Sequence, residues 1–586
     1  MKLSTLNDVL AFVAGRGEDR VALWQDSDNT WKPISANEFV ARVKSFAGWL
    51  RSQGVQKGDR IALIAENRWE WAVTDFGVMS IGAVGVPLFP TLTGEQTAAQ
   101  LKDSGAKICV VSNTELAKKV REHQGNTAVT TIVVMDIKQP LEDTINFADT
   151  LTTAPLADFD ATTRSIQPDD LATIIYTSGT TGDAKGVMLT HNHIASNLEM
   201  TTSLFSFNAS DSCVSFLPLS HVTARHVDYL LYATGTTVAY CGRVDRLMPA
   251  FQAVKPTIFV AVPRLYERIR HSVEQKSSGS PVKKKILHWA IRTGRSHHAP
   301  LLAGKTPASP LWKIANVLVY KKVRAAFGGC VRYFVSGGAP LGIDLANWFA
   351  DAGIPVLEGY GLTETSPVIS VNIPGAHKIG TTGKTVANLE CRIAEDGELE
   401  VRGPSVFKGY WNKPEATADA LTPDGWFHTG DIGHIDSEGY LTITDRKREL
   451  IKTTNGKFIA PQPIENKLKV SSLIGHVALQ GDKRKYVTAL MTPNLPVLEE
   501  RAKTLGLDTT NKTEIVTNPQ ILALFQSELD RVNADLAPFE KIKRFKLLPI
   551  EWTIETGELT PSMKLKRRIV AQRHAAEIAS MYGEGE

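Results

Sequence analysis

Residues 176 to 187 combine hydroxyl groups, glycines and one lysine in a single short segment. The segment follows an apolar run, residues 171 to 175, that predicts a buried strand. Glycines have no Cβ, so backbone N–H groups can approach an anion closely, while hydroxyls add donors and the lysine adds a positive charge. The residues concerned are Ser178, Gly179, Thr180, Thr181, Gly182 and Lys185. This combination predicts a polyphosphate site.

The segment is not a Walker loop, because that motif requires Gly-Lys followed by Ser or Thr. Here Ala184 precedes Lys185 and Gly186 follows it. Glycine, serine and threonine are also ordinary turn residues, so composition alone leaves a solvated surface turn as the alternative.

Four further segments follow in order along the chain: residues 358 to 364, 426 to 431, 445 to 452 and 559 to 564. They read EGYGLTE, WFHTGD, DRKRELIK and LTPSMK. Together with residues 176 to 187 they resemble the motifs of the acyl-adenylate-forming superfamily, which includes acyl-CoA synthetases, luciferases and peptide-synthetase adenylation domains. The resemblance extends over nearly the whole chain, and five motifs in the same order are very unlikely to arise by accident.

The resemblance implies a two-step reaction that uses ATP, Mg²⁺ and coenzyme A. A carboxylate attacks the α-phosphorus of ATP to give acyl-AMP and pyrophosphate, and the thiol of coenzyme A then displaces AMP. Both steps build charge on oxygen. The protein must therefore supply positioned cations and hydrogen-bond donors rather than a covalent nucleophile.

The resemblance also implies which residues bind the nucleotide. Thr177 to Lys185 would hold the β- and γ-phosphates, Thr363 would contact the α-phosphate, and Glu364 would bind Mg²⁺. Tyr360 would stack on adenine. The remaining expected nucleotide contacts are Gly338 and Ala339 beside the adenine, Gly361 in the same motif as Tyr360, and Asp431 and Arg446 at the ribose. By composition alone, a lone loop glutamate is solvated and a lone tyrosine is structural.

Two residues would couple catalysis to domain movement. The resemblance implies that Lys564, on a small C-terminal domain, reaches the α-phosphate and carboxylate in only one domain arrangement. The family usually has glycine before this lysine, whereas this chain has Met563, as long-chain members often do. Arg448 stands at the hinge position, where the family usually has Asp or Lys. A hinge residue must change φ and ψ while remaining solvated, which Arg permits.

The prediction of an acyl pocket depends on residues 217 to 222, which resemble the start of the family's acyl pocket. His221 would lie near the reacting carboxylate, although a lone histidine can equally be structural. Some long-chain enzymes carry an aromatic gate a few residues later, where this chain has Arg225. Residues 445 to 447 and 455 to 465 resemble long-chain fatty acyl-CoA synthetases more than acetyl, aryl or amino-acid activators. A long acyl chain needs an apolar tunnel, since each buried CH₂ contributes about 0.8 kcal/mol.

Other functions remain alternatives. A fatty acyl-AMP ligase would pass its acyl group to a carrier protein, but we find no obvious insertion between Tyr440 and Asp445, where such relatives carry one. A medium-chain or aryl acid–CoA ligase would share every motif. A P-loop kinase or GTPase conflicts with the failed Walker pattern. A non-catalytic AMP-binding protein would be expected to lack Lys564, Glu364 or Asp431, and all three are present.

The elements that position these residues must be divided between at least two domains, because a chain of 586 residues is too long to form one compact core. Helices alternate with short apolar strands through two stretches, which predicts an α/β protein with parallel sheets covered on both faces. After residue 375 short strands and turns predict a small β-rich subdomain. We therefore predict a large domain over residues 1 to 444, a hinge at 445 to 448 and a mobile α+β domain over 449 to 586, ending in a helix from Ile569 to Met581.

Net charge, cysteine usage and apolar segments limit the partners and the cell compartment that the sequence predicts. A net charge of +4 on a chain with 22% charged residues gives no reason to expect nucleic acid. The five cysteines are scattered without a C-x-x-C pair, which favours a reducing compartment. No signal peptide or membrane-spanning segment is evident, so we predict a cytoplasmic protein.

A peripheral membrane contact is a separate hypothesis. Residues 282 to 298 alternate lysines and arginines with apolar residues, as an interfacial helix on the inner face of a membrane would. A solvated helix packed on the protein body is the alternative. The resemblance also makes a homodimer plausible.

Overall fold

The computed structural model describes residues 2–25, 30–137, 141–177, 184–454, 457–560 and 564–582. The protein is α/β, with a large N-terminal domain and a smaller C-terminal domain. Two large sheets, each mainly parallel, form the centre of the large domain. The predicted fold class is therefore confirmed.

The first sheet carries the strand that precedes the glycine-rich segment. Its strands, in spatial order, are Gly409–Tyr410, Lys185–Thr190, Leu171–Thr177, Val84–Leu88, Arg60–Ile64, Ile108–Asn113, Thr131–Asp136 and Thr144–Asn146. The strands from Leu171–Thr177 onward are parallel, and the first two pair antiparallel. The central strands are almost continuous runs of buried apolar residues because helices cover both faces.

The second sheet carries the motif that begins at Glu358. Its strands, in spatial order, are Lys384–Thr385, Val368–Val371, Val356–Gly361, Tyr333–Ser336, Ile258–Ala261, Ser212–Ser215, Thr237–Tyr240, Arg20–Gln25 and Trp31–Ser35. The strands from Val356–Gly361 to Arg20–Gln25 are parallel, while both edges are antiparallel. The N-terminal hairpin thus completes the second sheet rather than the first.

The β-rich subdomain predicted after residue 375 is an antiparallel sheet. Its strands are Glu390–Ile393, Glu398–Arg402, Phe427–Ile435 and Leu441–Arg446. It packs on the main apolar core of the large domain through Leu399, Val401, Phe427 and Leu441, all buried. The last strand leads directly into the small domain.

The small domain has its own apolar core, built around a three-stranded arrangement. Its strands are Ile474–Gln480, Val487–Pro493 and Ile542–Leu547, with the short pair Ile451–Lys452 and Phe458–Ile459 beside them. Buried residues of its helices, such as Ile464, Leu468, Phe525 and Leu529, complete this core. Separate cores are expected of units that move relative to each other.

The helices of the large domain are Asn7–Ala14, Ala36–Ser52, Trp69–Ser80, Gly94–Ser104, Thr114–Glu122, Phe147–Thr150, Phe159–Ser165, His191–Leu204, Val222–Ala233, Leu247–Val254, Pro263–Ser278, Pro281–Arg295, His298–Leu302, Pro310–Ala315, Lys321–Ala325, Ile343–Asp351 and Pro414–Ala420. Those of the small domain are Pro461–Lys469, Leu495–Thr504, Lys512–Thr517, Pro519–Ala534, Arg567–Arg573 and Ala575–Ala579. Short 3₁₀ turns cover Gln124–Asn126, Val244–Arg246, Thr363–Thr365 and Lys447–Glu449, and Asn316–Tyr320 is a π-helical turn.

One element was predicted wrongly. The single helix expected from Ile569 to Met581 is two short helices that meet at His574, whose backbone leaves the helical region. The His574 ring packs 6.1 Å from the ring of the buried Trp552. This tertiary contact overrides the helical propensity of the alanine-rich sequence. Within the described ranges, no helix has the length and apolarity needed to span a bilayer.

Candidate active site

A cleft of about 3060 Å³ brings the predicted site residues together, with walls from both domains. The predicted residues that line it are Thr177, Lys185, His221, Gly338, Ala339, Tyr360, Gly361, Thr363, Glu364, Asp431, Arg446, Arg448 and Lys564. Many of these residues lie in strands or directly after them, while Lys564 comes from a loop of the small domain. Ser178, Gly179, Thr180, Thr181 and Gly182 lie outside the described residues. The role of each residue stays a prediction.

The ends of the glycine-rich segment are fixed at the cleft. Thr177 ends one strand and Lys185 begins the next, and the two residues are register partners in an antiparallel pair. The Lys185 ammonium lies 4.7 Å from the centre of the Tyr410 ring, a cation–π distance. A loop joining these strands therefore starts and ends beside the cleft.

A buried carboxylate, Asp431, organises the predicted ribose corner. The Tyr360 hydroxyl donates to Asp431 Oδ2 at 2.5 Å, and Arg446 Nε lies 3.0 Å from Oδ1. Asp431 and Arg446 face each other on neighbouring antiparallel strands, which sets this pair by register. Burial and the Asp431 charge raise the pKa of Tyr360, and Asp431 likewise raises the pKa of Arg446. A carboxylate has about four acceptor positions, so both oxygens can still accept hydroxyl groups.

Glu364 forms the predicted metal position. It lies in the 3₁₀ turn Thr363–Thr365, and its Oε1 accepts a hydrogen bond of 2.9 Å from the Tyr410 hydroxyl. Burial raises the pKa of Glu364. Among the described residues no cluster of three or more His, Cys, Asp or Glu could hold a metal. One carboxylate beside a polyphosphate is nonetheless the usual way that Mg²⁺ is held, with the phosphates supplying further ligands. The residues present therefore fit the ion.

His221 has the structural use that the sequence left open, and it also lines the cleft, so its role near the carboxylate stays a prediction. It is the N-cap of the helix Val222–Ala233, and its Nδ1 accepts from the Thr223 backbone N–H at 3.2 Å. Burial and the nearby charge of Lys564 lower the pKa of His221 to about 4, so the ring is neutral at physiological pH. Because Nδ1 is the acceptor, the ring proton lies on Nε2, which can donate to an oxyanion in the cleft.

Lys564 extends from a small-domain loop whose base is tied together. The Thr560 N–H donates to the Lys564 carbonyl at 2.8 Å, and the Lys564 N–H donates to Thr560 Oγ1 at 3.0 Å. The side chain itself remains open to water within the cleft. The surrounding protein and the positive charge of Arg446 lower the pKa of Lys564. In this arrangement the small domain therefore presents the lysine to the part of the cleft that holds Arg446, Asp431 and Glu364.

The segment predicted as a hinge is tied to a different domain on each side of Arg448. Lys447 Nζ lies 2.7 Å from Glu398 Oε2 and 2.5 Å from Asp396 Oδ2, both on the β-rich subdomain. On the other side, Glu449 Oε2 lies 3.0 Å from Arg567 Nε in the small domain. These ion pairs leave Arg448 as the residue between the two anchored ends.

Sequence reasoning missed Tyr410, and it gave Asp445 no contact of its own although the motif at 445 to 452 begins with it. Tyr410 contacts both Lys185 and Glu364, yet it lies on a two-residue strand and no motif includes it. Asp445 is buried and accepts from the Gln462 N–H at 3.1 Å, and burial raises its pKa to about 6. A glycine followed by two aromatic residues at 409 to 411 is the only sequence signal for Tyr410 that we can identify.

Arg225, at the position of the aromatic gate, lies in the core of the large domain. It is 2% exposed, its Nε lies 3.0 Å from Asp75 Oδ2, and its Nη1 donates to Thr173 Oγ1 at 2.7 Å. Its guanidinium therefore joins the helix Val222–Ala233 to the helix Trp69–Ser80 through a buried ion pair, and to the first sheet through the hydrogen bond to Thr173.

Comparisons with known proteins identify both domains. The family model described as AMP-binding enzyme matches residues 10–411, and the model described as AMP-binding enzyme C-terminal domain matches residues 448–586. A Mycobacterium bovis protein named long-chain-fatty-acid–CoA ligase FadD15 is 35% identical over 574 residues, covering 95% of this chain and 93% of the relative. A mouse protein named long-chain-fatty-acid–CoA ligase ACSBG2 is 29% identical, covering 96% of this chain and 90% of the relative. Among solved structures, the adenylation domain of a carboxylate reductase from Mycobacterium chelonae has a TM-score of 0.76 at 21% identity, covering 99% of this chain and 91% of that one.

Proposed function

Because the chain belongs to the AMP-binding enzyme family, we propose that it is an ATP-dependent long-chain fatty acid–CoA ligase. The observation that carries this proposal is the single cleft in which the described motif residues meet. The substrate class is supported by relatives that cover nearly the whole chain and are named long-chain-fatty-acid–CoA ligases.

In the first step, the fatty carboxylate attacks the α-phosphorus of ATP and pyrophosphate leaves. Lys564 and Lys185 supply positive charge where negative charge develops, and the Nε2–H of His221 can hold the carboxylate. Such preorganised charges and donors lower the barrier most when the cleft excludes bulk water. Glu364 would hold Mg²⁺, which neutralises charge on the phosphates when bound.

In the second step, the thiol of coenzyme A attacks the acyl carbonyl carbon and AMP leaves with the electron pair on its phosphate oxygen. The nucleotide contacts of the large domain serve both steps, because Asp431 and Arg446 would hold the ribose of ATP and of the adenylate alike. Lys564 serves the first step alone. Rotation about Arg448 would withdraw it and open the cleft to coenzyme A, with 1 to 444 and 449 to 586 as the two moving units.

The test is a substrate panel with purified protein, ATP, Mg²⁺ and coenzyme A. The acids run from acetate to arachidate, with benzoate added, and both AMP and acyl-CoA are measured. We expect acyl-CoA to form best with acids between dodecanoate and stearate. Acyl-AMP released without thioester would instead indicate transfer to a carrier protein, and a preference for benzoate or short acids would assign another CoA ligase class. No turnover of any acid would indicate a non-catalytic AMP-binding protein. The cytoplasmic location and the homodimer stay predictions.

A further inference from the structure

The helical stretch from residue 310 to 325 exposes large apolar side chains on one face. It consists of Pro310–Ala315, the π-helical turn Asn316–Tyr320 and Lys321–Ala325 without a break. Trp312, Ala315, Val319, Tyr320 and Val323 are buried against the body of the large domain. On the opposite side Leu311 is 57% exposed, Ile314 50%, Val317 65% and Leu318 42%. Single exposed apolar residues are common, but four on one helix face form a patch that needs a partner.

Lysines accompany this patch. Lys313, Lys321 and Lys322 are exposed on the same helical stretch. The neighbouring helix Pro281–Arg295, which packs against it, adds the exposed Lys283, Lys284 and Lys285. Apolar residues of that helix, such as Leu287, instead pack into the core, so its own apolar side does not face outward as an interfacial helix would require.

The charge of this region differs from that of the rest of the chain. Residues 275 to 343 contain twelve Lys and Arg residues and no Asp or Glu. The remainder has 54 basic and 62 acidic residues, so it is net negative. Arg295 and Arg332 are ion-paired with Asp351 and Asp211 from outside this region, so the positive field that it presents comes from its exposed lysines.

We propose that the exposed face of residues 311 to 325 docks on an anionic lipid bilayer. An apolar stripe flanked by lysines is the arrangement with which a surface helix lies in the plane of the interface, with apolar side chains among the acyl chains and ammonium groups at the headgroups. The positive charge of the lysines favours an anionic membrane over other partners for this face. A second copy of this chain would have to place the same lysine-flanked face against itself around a two-fold axis, which brings like charges together.

This inference goes beyond the proposed reaction and does not depend on it. Docking would bring the enzyme to the compartment in which long-chain acids partition, but vesicle binding is measured without turnover. Protein that binds vesicles without turning over any acid would contradict only the proposed function, and active protein that fails to bind would contradict only the docking surface.

The experiment is co-sedimentation of the full chain with vesicles of phosphatidylcholine alone, or of equal parts phosphatidylcholine and phosphatidylglycerol. We expect binding to the anionic vesicles at low salt, and a loss of binding at high salt because charge is screened. Two double variants test the face: Ile314→Gln with Val317→Gln, and Lys321→Gln with Lys322→Gln. Each should weaken the partition into anionic vesicles by about tenfold. These side chains are exposed, so neither variant disturbs the core.

Matched controls change the same chemistry elsewhere. Leu505→Gln removes an exposed apolar side chain of the small domain, and Lys102→Gln with Lys118→Gln removes two exposed lysines of the large domain. Both controls should bind like the wild type. The proposal is overturned if the wild type fails to sediment with anionic vesicles or if controls and face variants lose binding equally. It is also overturned if light scattering shows a dimer that the face variants convert to monomers, since the face would then be covered by a second copy.

Discussion

The ribose corner of the cleft and the loop that carries Lys564 hold their charges in different ways. Asp431 is buried and both of its oxygens already have partners: Arg446 on the neighbouring strand and Tyr360 on a strand of the second sheet. Lys564 stands in water at the edge of the other domain, and no described side chain hydrogen-bonds to its ammonium. The first arrangement is preorganised before any ligand arrives, while the second can leave without breaking a side-chain hydrogen bond to the ammonium.

This difference fits a two-step reaction in which one set of contacts must persist and another must be withdrawn. A preorganised donor costs no rearrangement during the reaction, which favours groups used in both steps. A charge needed once is better placed on a movable unit. If the contrast is functional, substitutions on the two sides must affect the half-reactions differently.

The largest effect is expected for Lys564→Ala, which removes the movable charge. Adenylation should fall by about 10²–10³-fold, as for other losses of a donor that acts on the developing charge. Thioester formation from supplied acyl-AMP should change much less. The measurement compares ATP–pyrophosphate exchange with single-turnover thioester formation, and Lys566→Ala serves as the matched control. An equal loss in both half-reactions would refute the assigned role.

A smaller but broader effect is expected for Asp431→Asn. The amide keeps the volume but turns an N–H group toward donors that the carboxylate accepts from, and a lost charge-assisted hydrogen bond corresponds to about 10–100-fold in binding. Both half-reactions should weaken, because ATP and the adenylate carry the same ribose. Tyr360→Phe removes only one donor to Asp431 and should have a milder effect. A defect confined to adenylation would show that Asp431 does not hold the ribose.

Sequence reasoning succeeded where a residue type carried its own chemistry. The apolar run at residues 171 to 175 predicted a buried strand, which is Leu171–Thr177, and the short strands predicted after residue 375 form the β-rich sheet, because apolar patterns and turns are local. The roles of the glycine-rich segment and of Glu364 stay predictions. The contacts of Tyr410 with Lys185 and Glu364 could not, since they arise when a short edge strand pairs with Lys185–Thr190. The same holds for the anchors of Lys447 and Glu449, which are set by distant turns and helices. Likewise, the apolar residues near Trp289 suggested an interfacial helix, and only packing shows that they face the core.

A third substitution tests the connection between the two regions. Arg448→Pro fixes φ near −65° at the residue between the anchored Lys447 and Glu449. If the small domain rotates there, thioester formation should slow by about tenfold while adenylation is retained, because Lys564 would stay in the arrangement shown here. Arg448→Ala keeps the backbone free and should behave like the wild type. Retained adenylation also shows that the variant folds, and an unchanged second step would place the pivot elsewhere.

The smallest effect is expected on thermal stability, from a substitution in the buried interior of the large domain. Asp228 is buried, and Ser215 Oγ donates to it at 3.1 Å. Burial raises the pKa of Asp228 to about 8, above the 3.8 of a free carboxyl. Between these values the folded state binds the extra proton, so the free energy of unfolding falls as pH rises through this window.

Asp228→Asn cannot titrate and should melt a few degrees higher than the wild type at pH near 8, with little difference near pH 4, where both side chains are neutral in the folded state. Thermal melts at the two pH values measure this, with exposed Asp158→Asn as the control. A wild-type pH dependence that survives in Asp228→Asn would mean that Asp228 is not the group that causes it, and the contrast between a fixed interior and a movable lysine would then rest on the cleft alone.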